Sequence, residues 1–232
     1  MPGANVRGEN IPVKPLLRGW LHACAAVVAA VVGIALCWLS RDDPAKLLSM
    51  LVFGVSMVLL YTVSALYHMG NWRPKAHRVL RALDHSNIYV VIAGTYTPLC
   101  FNVLSGGLRA GALLAIWLLA VLGIGLAVVA VGVPRASKFV PRWARTVVYI
   151  GMGWVAVILM PALLAALPLI AIGLLVLGGI LNTVGALIYA LRRPNPFPRV
   201  FGFHEIFHLL VIAGGTAFTL VIWLWVLPFP RD

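Results

Sequence analysis

The strongest constraint on this chain is a recurrence of apolar runs long enough to cross a bilayer. A spanning helix needs about 20 mostly apolar residues. Seven segments meet that length, at approximately 20–40, 47–68, 83–104, 108–131, 145–165, 168–191 and 204–227. The stretch 145–191 is too long for one helix, and Pro161 and Pro168 mark its division into a fifth and a sixth span. Asp, Glu, Lys and Arg make up only 10% of the 232 residues, and 62% are apolar. A soluble domain carries about 25% charged residues. The composition therefore excludes a soluble globular protein, a disordered chain and a disulfide-stapled secreted domain. Cys24, Cys37 and Cys100 all lie in apolar runs, so no disulfide framework is expected. The reading is an all-α membrane protein, one seven-helix domain over residues 1–232, with no linker, repeat or low-complexity tract.

The formal net charge is +12. In a soluble protein that would point to nucleic acid. Here the cations must sit outside the hydrocarbon, and their distribution sets an orientation. Arg7, Lys14 and Arg18 precede span 1. Arg73, Lys75, Arg78 and Arg81 follow span 2, and Arg135, Lys138, Arg142 and Arg145 follow span 4. Arg192, Arg193 and Arg199 follow span 6. Fourteen of the 18 cations thus fall on one side, and only Arg41, Lys46, Arg109 and Arg231 on the other. The alternation is unbroken, which puts the N-terminus in the cytoplasm and the C-terminus outside. Span 1 is longer than a signal-peptide core and its removal would disturb this pattern, so it is read as a true helix. The basic loops serve topology, and the Arg73–Arg81 cluster is also placed to meet anionic lipid head groups. No nucleic-acid partner is expected. The glycine pairs Gly123/Gly125, Gly178/Gly179 and Gly214/Gly215 read as close helix contacts. Trp20, Trp143, Trp223 and Trp225 read as interfacial anchors.

Ionisable residues inside spans are costly and mark function. They are few: His22, His68, Asp84, His85, His204, Glu205 and His208, with Ser64 as a polar neighbour. Under the derived orientation they all lie toward the cytoplasmic face, at nearly one depth. His204 and His208 are i, i+4 and share a helix face, as do Ser64 and His68. Three imidazoles and a carboxylate from three helices suit Zn²⁺, with a fourth position left for water, as in catalytic zinc sites. Asp84 is then the neighbouring base. Simpler roles exist for several of these residues. His22 reads as an interfacial residue. Asp84 also suits the positive end of a helix dipole, and Ser64 can bond its own backbone. The segment from His204 to His208 also matches H-E-x-x-H, where Glu205 would be the general base of an intramembrane protease. The preferred reading makes Glu205 a surface or outer-sphere residue at the cytoplasmic mouth.

Several segments together resemble the bacterial hemolysin III family. They are Ser64-Ala-Leu-Tyr-His68, Leu83-Asp84-His85-Ser86-Asn87-Ile88-Tyr89, Ala93-Gly94-Thr95-Tyr96-Thr97-Pro98 and Phe203-His204-Glu205-Ile206-Phe207-His208. That family is grouped with the progestin and adipoQ receptors, adiponectin receptors among them, and more widely with alkaline ceramidases. The resemblance implies a seven-helix bundle in the bacterial cytoplasmic membrane with zinc near its cytoplasmic face. It implies His68, His204 and His208 as zinc ligands, Asp84 as the residue that holds or deprotonates water, and Ser64 as its auxiliary. It assigns no clear role to His85, which is the fourth ligand if the site is closed. The Gly94–Pro98 stretch reads as structural, since Pro98 removes a backbone bond in the outer half of span 3. The leading functional expectation is a zinc-dependent intramembrane hydrolase acting on a lipid amide that enters from the inner leaflet. The alternatives are a zinc-stabilised sensor or receptor without turnover, the protease, and a pore-former.

Overall fold

A computed structural model describes residues 15–132 and 142–230. Arg7, Lys14, Arg135, Lys138 and Arg231 of the charge pattern lie outside them, as does the side chain of Arg142. The described chain is helical, without a strand. In order it forms α1 (Trp20–Leu39), α2 (Pro44–Met69), α3 (Pro74–Val103), α4 (Gly106–Gly132), α5 (Arg142–Gly153), α6 (Ala156–Ala166), α7 (Leu169–Leu191) and α8 (Phe203–Val221). A π-helical turn, Ile222–Val226, continues α8. Six helical segments are long and apolar enough to cross a membrane, with α5 and α6 counted as one. The exception is α3. It is the longest helix, but its apolar residues are diluted by His, Asp, Arg and Asn.

Local chemistry sets the ends. Asp43 caps α2, its Oδ1 accepting from Ala45 N and Lys46 N at 3.1 and 3.0 Å, with Pro44 preformed in the first turn. Pro74 opens α3 in the same way. Pro168 stops α6, whose last turn is closed by Leu167 N donating to Leu163 O at 2.8 Å. Pro161, expected to help divide the spans, lies inside α6. The fifth span instead breaks at Trp154–Val155. There Tyr96 from α3 fills the gap: its hydroxyl donates to Gly153 O at 2.7 Å and accepts from Ala156 N at 2.6 Å. α3 itself runs on through Pro98 to Val103.

Helices α1 to α4 pack in sequence, each on the next, and α7 pairs with α8. Contacts of α8 with α1, and of α3 with α5 and with the π-turn, close the bundle. Large apolar side chains point outward, Ile34 at 71%, Leu122 at 70% and Ile158 at 77% exposure. A belt of that kind requires lipid around it. Inside, small residues let the helices approach. The backbones of Gly33 in α1 and Gly54 in α2 meet so closely that a Cβ built on Gly54 lies 3.0 Å from Gly33 Cα. Of the glycines picked out beforehand, Gly123 seats Tyr89, Gly178 seats Phe218 and Gly214 seats Asn182, while Gly125 faces open space. Trp20 and Trp143 stand exposed at helix starts, but Trp223 and Trp225 pack on the core. The three cysteines are free.

Candidate metal centre

The start of α1, the end of α2, the end of α7 and the start of α8 meet at one end of the bundle. The basic segments 70–73 and 192–202 lie there too, so we call it the basic end. The chain enters α1 by a short strap. Leu16 N donates to Arg199 O and Leu17 N to Val200 O, at 3.1 and 3.3 Å. Gly19 then turns with φ +88°, a left-handed conformation that glycine adopts freely, and a Cβ there would strike Met69 and approach His68 and Ala65 of α2. The strap therefore ties α1, α2 and the α7–α8 connection together at this end.

α8 starts with its orphan donors satisfied. Glu205 Oε2 accepts from Gly202 N at 2.8 Å and Asn195 Oδ1 from Phe203 N at 3.2 Å. Glu205 Oε1 accepts from Arg18 Nε at 2.5 Å. Glu205 is 1% exposed. Of the two placements expected for it, surface or outer-sphere, burial excludes the first: it is an internal cap and ion-pair partner that fixes the first turn of α8. That turn carries His204, and the next carries His208.

His204 and His208 reach His68 at the end of α2. One nitrogen from each of the three rings can be chosen so that all lie within 4.8 Å of one another. His204 Nε2 and His68 Nε2 are 3.1 Å apart. Imidazoles on a tetrahedral ion at the usual bond lengths of about 2.0–2.1 Å would hold their nitrogens roughly 3.3 Å apart. These three histidines could form a metal site. Asp84 borders the triad from α3, its Oδ2 4.0 Å from His68 Nε2 and 3.7 Å from His85 Nδ1. Ser64, one turn below His68, lines the same cavity as Asp84. His85 is turned toward its own helix, with Nδ1 2.9 Å from Arg81 O.

Two residues at the site were undervalued in the sequence. His22, read as interfacial, is 3% exposed and stacks face to face on His208, with ring centroids 3.9 Å apart and planes 11° apart. Among the described residues neither of its ring nitrogens makes a hydrogen bond. Its signal was the leaflet it shares with the other histidines. Arg145, counted only as a topology charge, lies in α5 with Nε and Nη1 buried and without a partner among the described residues. Nothing in its local sequence marks it.

The triad separates two cavities. An inner one of about 210 Å³ is lined by His22, His208, Ser64 and Arg145 and extends past Tyr96, Leu99, Met160 and Leu163. Its walls are mostly apolar. The Gly94–Pro98 stretch, read as structural in the outer half of span 3, contributes Thr95 and Tyr96 to the same cavity. An outer vestibule of about 770 Å³ at the basic end is lined by Arg18, Trp72, Arg73, His77, Arg81 and His68. Asp84, His85, Tyr189 and His204 line both.

A sequence model described as haemolysin-III related matches residues 11–219. The chain belongs to the haemolysin-III-related family. The "Hemolysin-3 homolog" of Bacillus subtilis is 39% identical over 173 residues, covering 74% of each chain. "Hemolysin-3" of Bacillus cereus is 39% identical over 177 residues, covering 76% of this chain and 74% of that one. The "Adiponectin receptor protein" of Drosophila melanogaster is 28% identical over 212 residues, 84% of this chain and 47% of the receptor. The haemolysin-III-related family and the six membrane-length helices together make this a multi-pass integral membrane protein.

Proposed function

We propose that this haemolysin-III-related chain is a zinc-dependent intramembrane hydrolase that cleaves a lipid amide. In this reading it is a seven-span bundle in the bacterial cytoplasmic membrane, with the N-terminus and the basic end cytoplasmic. The supporting observation is the junction itself: three histidines, Asp84 and Ser64 gather where a buried apolar cavity meets an open vestibule. The seventh span is α3. At about 1.5 Å per residue its 30 residues reach roughly 45 Å. Its buried polar run, including Ser86, Asn87, Thr95, Thr97 and Asn102, faces protein, which is why its composition is not that of a lipid-facing helix.

His68, His204 and His208 would hold the ion. When bound, zinc supplies Lewis acidity toward a carbonyl oxygen and eases deprotonation of water. Asp84 is the base beside the triad: it takes a proton from water and returns it to the leaving nitrogen. Ser64, on the same cavity wall, would orient that carboxylate. The preference for an amide comes from the likeness to ceramidases. Glu205 is a poor rival base, since both its oxygens are engaged by Arg18 and Gly202. The test is lipid amide turnover by the purified chain with chelator, with zinc restored, and with Asp84→Ala. Turnover should vanish with the metal and return with it. Activity surviving both zinc removal and Asp84→Ala removes the proposal.

One observation favours a second reading, a metal-tied sensor without turnover. His22 is a fourth buried imidazole in contact with the triad. X-ray absorption reporting four nitrogen donors and no lighter oxygen donor would favour that reading over hydrolysis.

A further inference from the structure

The division of the triad between the cavities constrains what is cleaved. His208 lines only the inner cavity, His68 only the vestibule, and His204 both. A molecule occupying both spaces must therefore pass the triad at its middle. The inner space takes an apolar chain. The vestibule has different chemistry: among the described residues three guanidinium side chains, Arg18, Arg73 and Arg81, reach it, and the one carboxylate, Asp84, sits at the neck. Arg18 is committed to Glu205. Arg73 and Arg81 form no ion pair among the described residues. Guanidinium groups pair strongly and often in bidentate fashion with carboxylate and phosphate, and a neutral head group would gain nothing comparable from them.

We propose that the substrate is an acyl amide whose amine side carries an anionic group, carboxylate or phosphate, held in the vestibule by Arg73 and Arg81 while the acyl chain fills the inner cavity. This rests on the hydrolase reading and names its substrate class. The reaction is a hydrolysis: a water oxygen bonds to the acyl carbon, the C–N bond breaks, and a water proton ends on the departing amine. The products are a fatty acid and an anionic amine. They leave from opposite sides of the neck.

The experiment uses the zinc-loaded full chain and three oleoyl amides, N-oleoylglycine, N-oleoyl-O-phosphoethanolamine and the neutral N-oleoylethanolamine. We expect kcat/KM for one or both anionic amides to exceed that for the neutral one by about tenfold, one guanidinium–anion contact's worth. Which anion leads tells carboxylate from phosphate. In Arg73→Gln/Arg81→Gln the advantage should fall to near unity through KM, with zinc content unchanged. It should also shrink as salt rises. Equal kcat/KM for charged and neutral amides, or an advantage that persists in the double variant, overturns the proposal and leaves the hydrolase reading standing. If no amide is cleaved, the hydrolase reading falls, and binding of the same three amides to Asp84→Asn, read by quenching of Trp72 at the vestibule, decides this one. Tenfold tighter anionic binding supports the vestibule assignment, and equal binding overturns it.

Discussion

The two ends of this bundle spend their polar residues in opposite ways. At the end away from the basic loops several polar side chains close structural needs nearby. Asp43 caps α2. Lys46 Nζ donates to Leu227 O and Phe229 O at 2.9 and 2.8 Å, which ties the last turn of the chain to the start of α2. Asn102 bridges to Ser49 at 3.0 Å, and Ser40 returns its hydroxyl to Leu36 O at 2.7 Å. At the basic end, by contrast, imidazoles converge on one another, and neither nitrogen of His22 makes a hydrogen bond among the described residues. Folding alone favours satisfied buried polar groups. Imidazoles crowded together in a low-dielectric site gain little stability by themselves. In the proposed reading the contrast separates groups that hold the fold from groups that would bind a metal.

The comparison can be tested by disabling each end in turn. The largest effect belongs to His204→Ala/His208→Ala. We expect zinc content by elemental analysis to drop from about one equivalent to none, and amide turnover to fall by at least about 10²-fold. Equal zinc in both proteins would erase the distinction between the ends. Lys46→Met should do the reverse. It removes two hydrogen bonds to part-buried carbonyls and should cost about 1 kcal/mol of stability, read as a lower melting temperature in detergent with zinc content intact.

Tyr96→Phe sharpens the boundary between the two behaviours. Its hydroxyl bridges the broken turn of the fifth span, and losing both bonds should destabilise by about 1–2 kcal/mol. Because Tyr96 also lines the inner cavity, a shift in KM at constant zinc should accompany the lower melting temperature. The smallest effect on chemistry is expected for Glu205→Gln. It weakens the Arg18 pair and keeps the cap, so stability falls by roughly 1 kcal/mol and turnover persists. Abolished turnover with zinc retained would instead make Glu205 the base and revive the protease reading.

Much of the site was legible because hydrocarbon is an unforgiving solvent. Few ionisable residues survive in spans, so His68, Asp84, His204 and His208 stood out, and i, i+4 spacing paired the last two on one face. His22 and Glu205 were misjudged for a common reason. Both sit at helix starts, where a polar residue usually meets head groups, and only the strap from Pro15 to Gly19 turns that position inward. The division of 145–191 into two spans was legible from Pro168, but the break inside the fifth span was not, because it is bridged by a tyrosine 60 positions distant. Arg145 was invisible as a cavity residue because positive charge near a span end already has a topological explanation.

The sequence alone determined that the chain is a helical membrane protein, which end is basic, and which residue types lie near that end. Those follow from the length of apolar runs and the cost of charge in lipid, which are properties of single segments. Tertiary structure alone decided that the histidines meet, that Arg18 and Glu205 neutralise each other, and that the triad divides an apolar cavity from a basic vestibule. Each of these depends on how helices rotate and approach, which is set by packing between segments such as the Gly33–Gly54 contact and not by the hydropathy of any one of them.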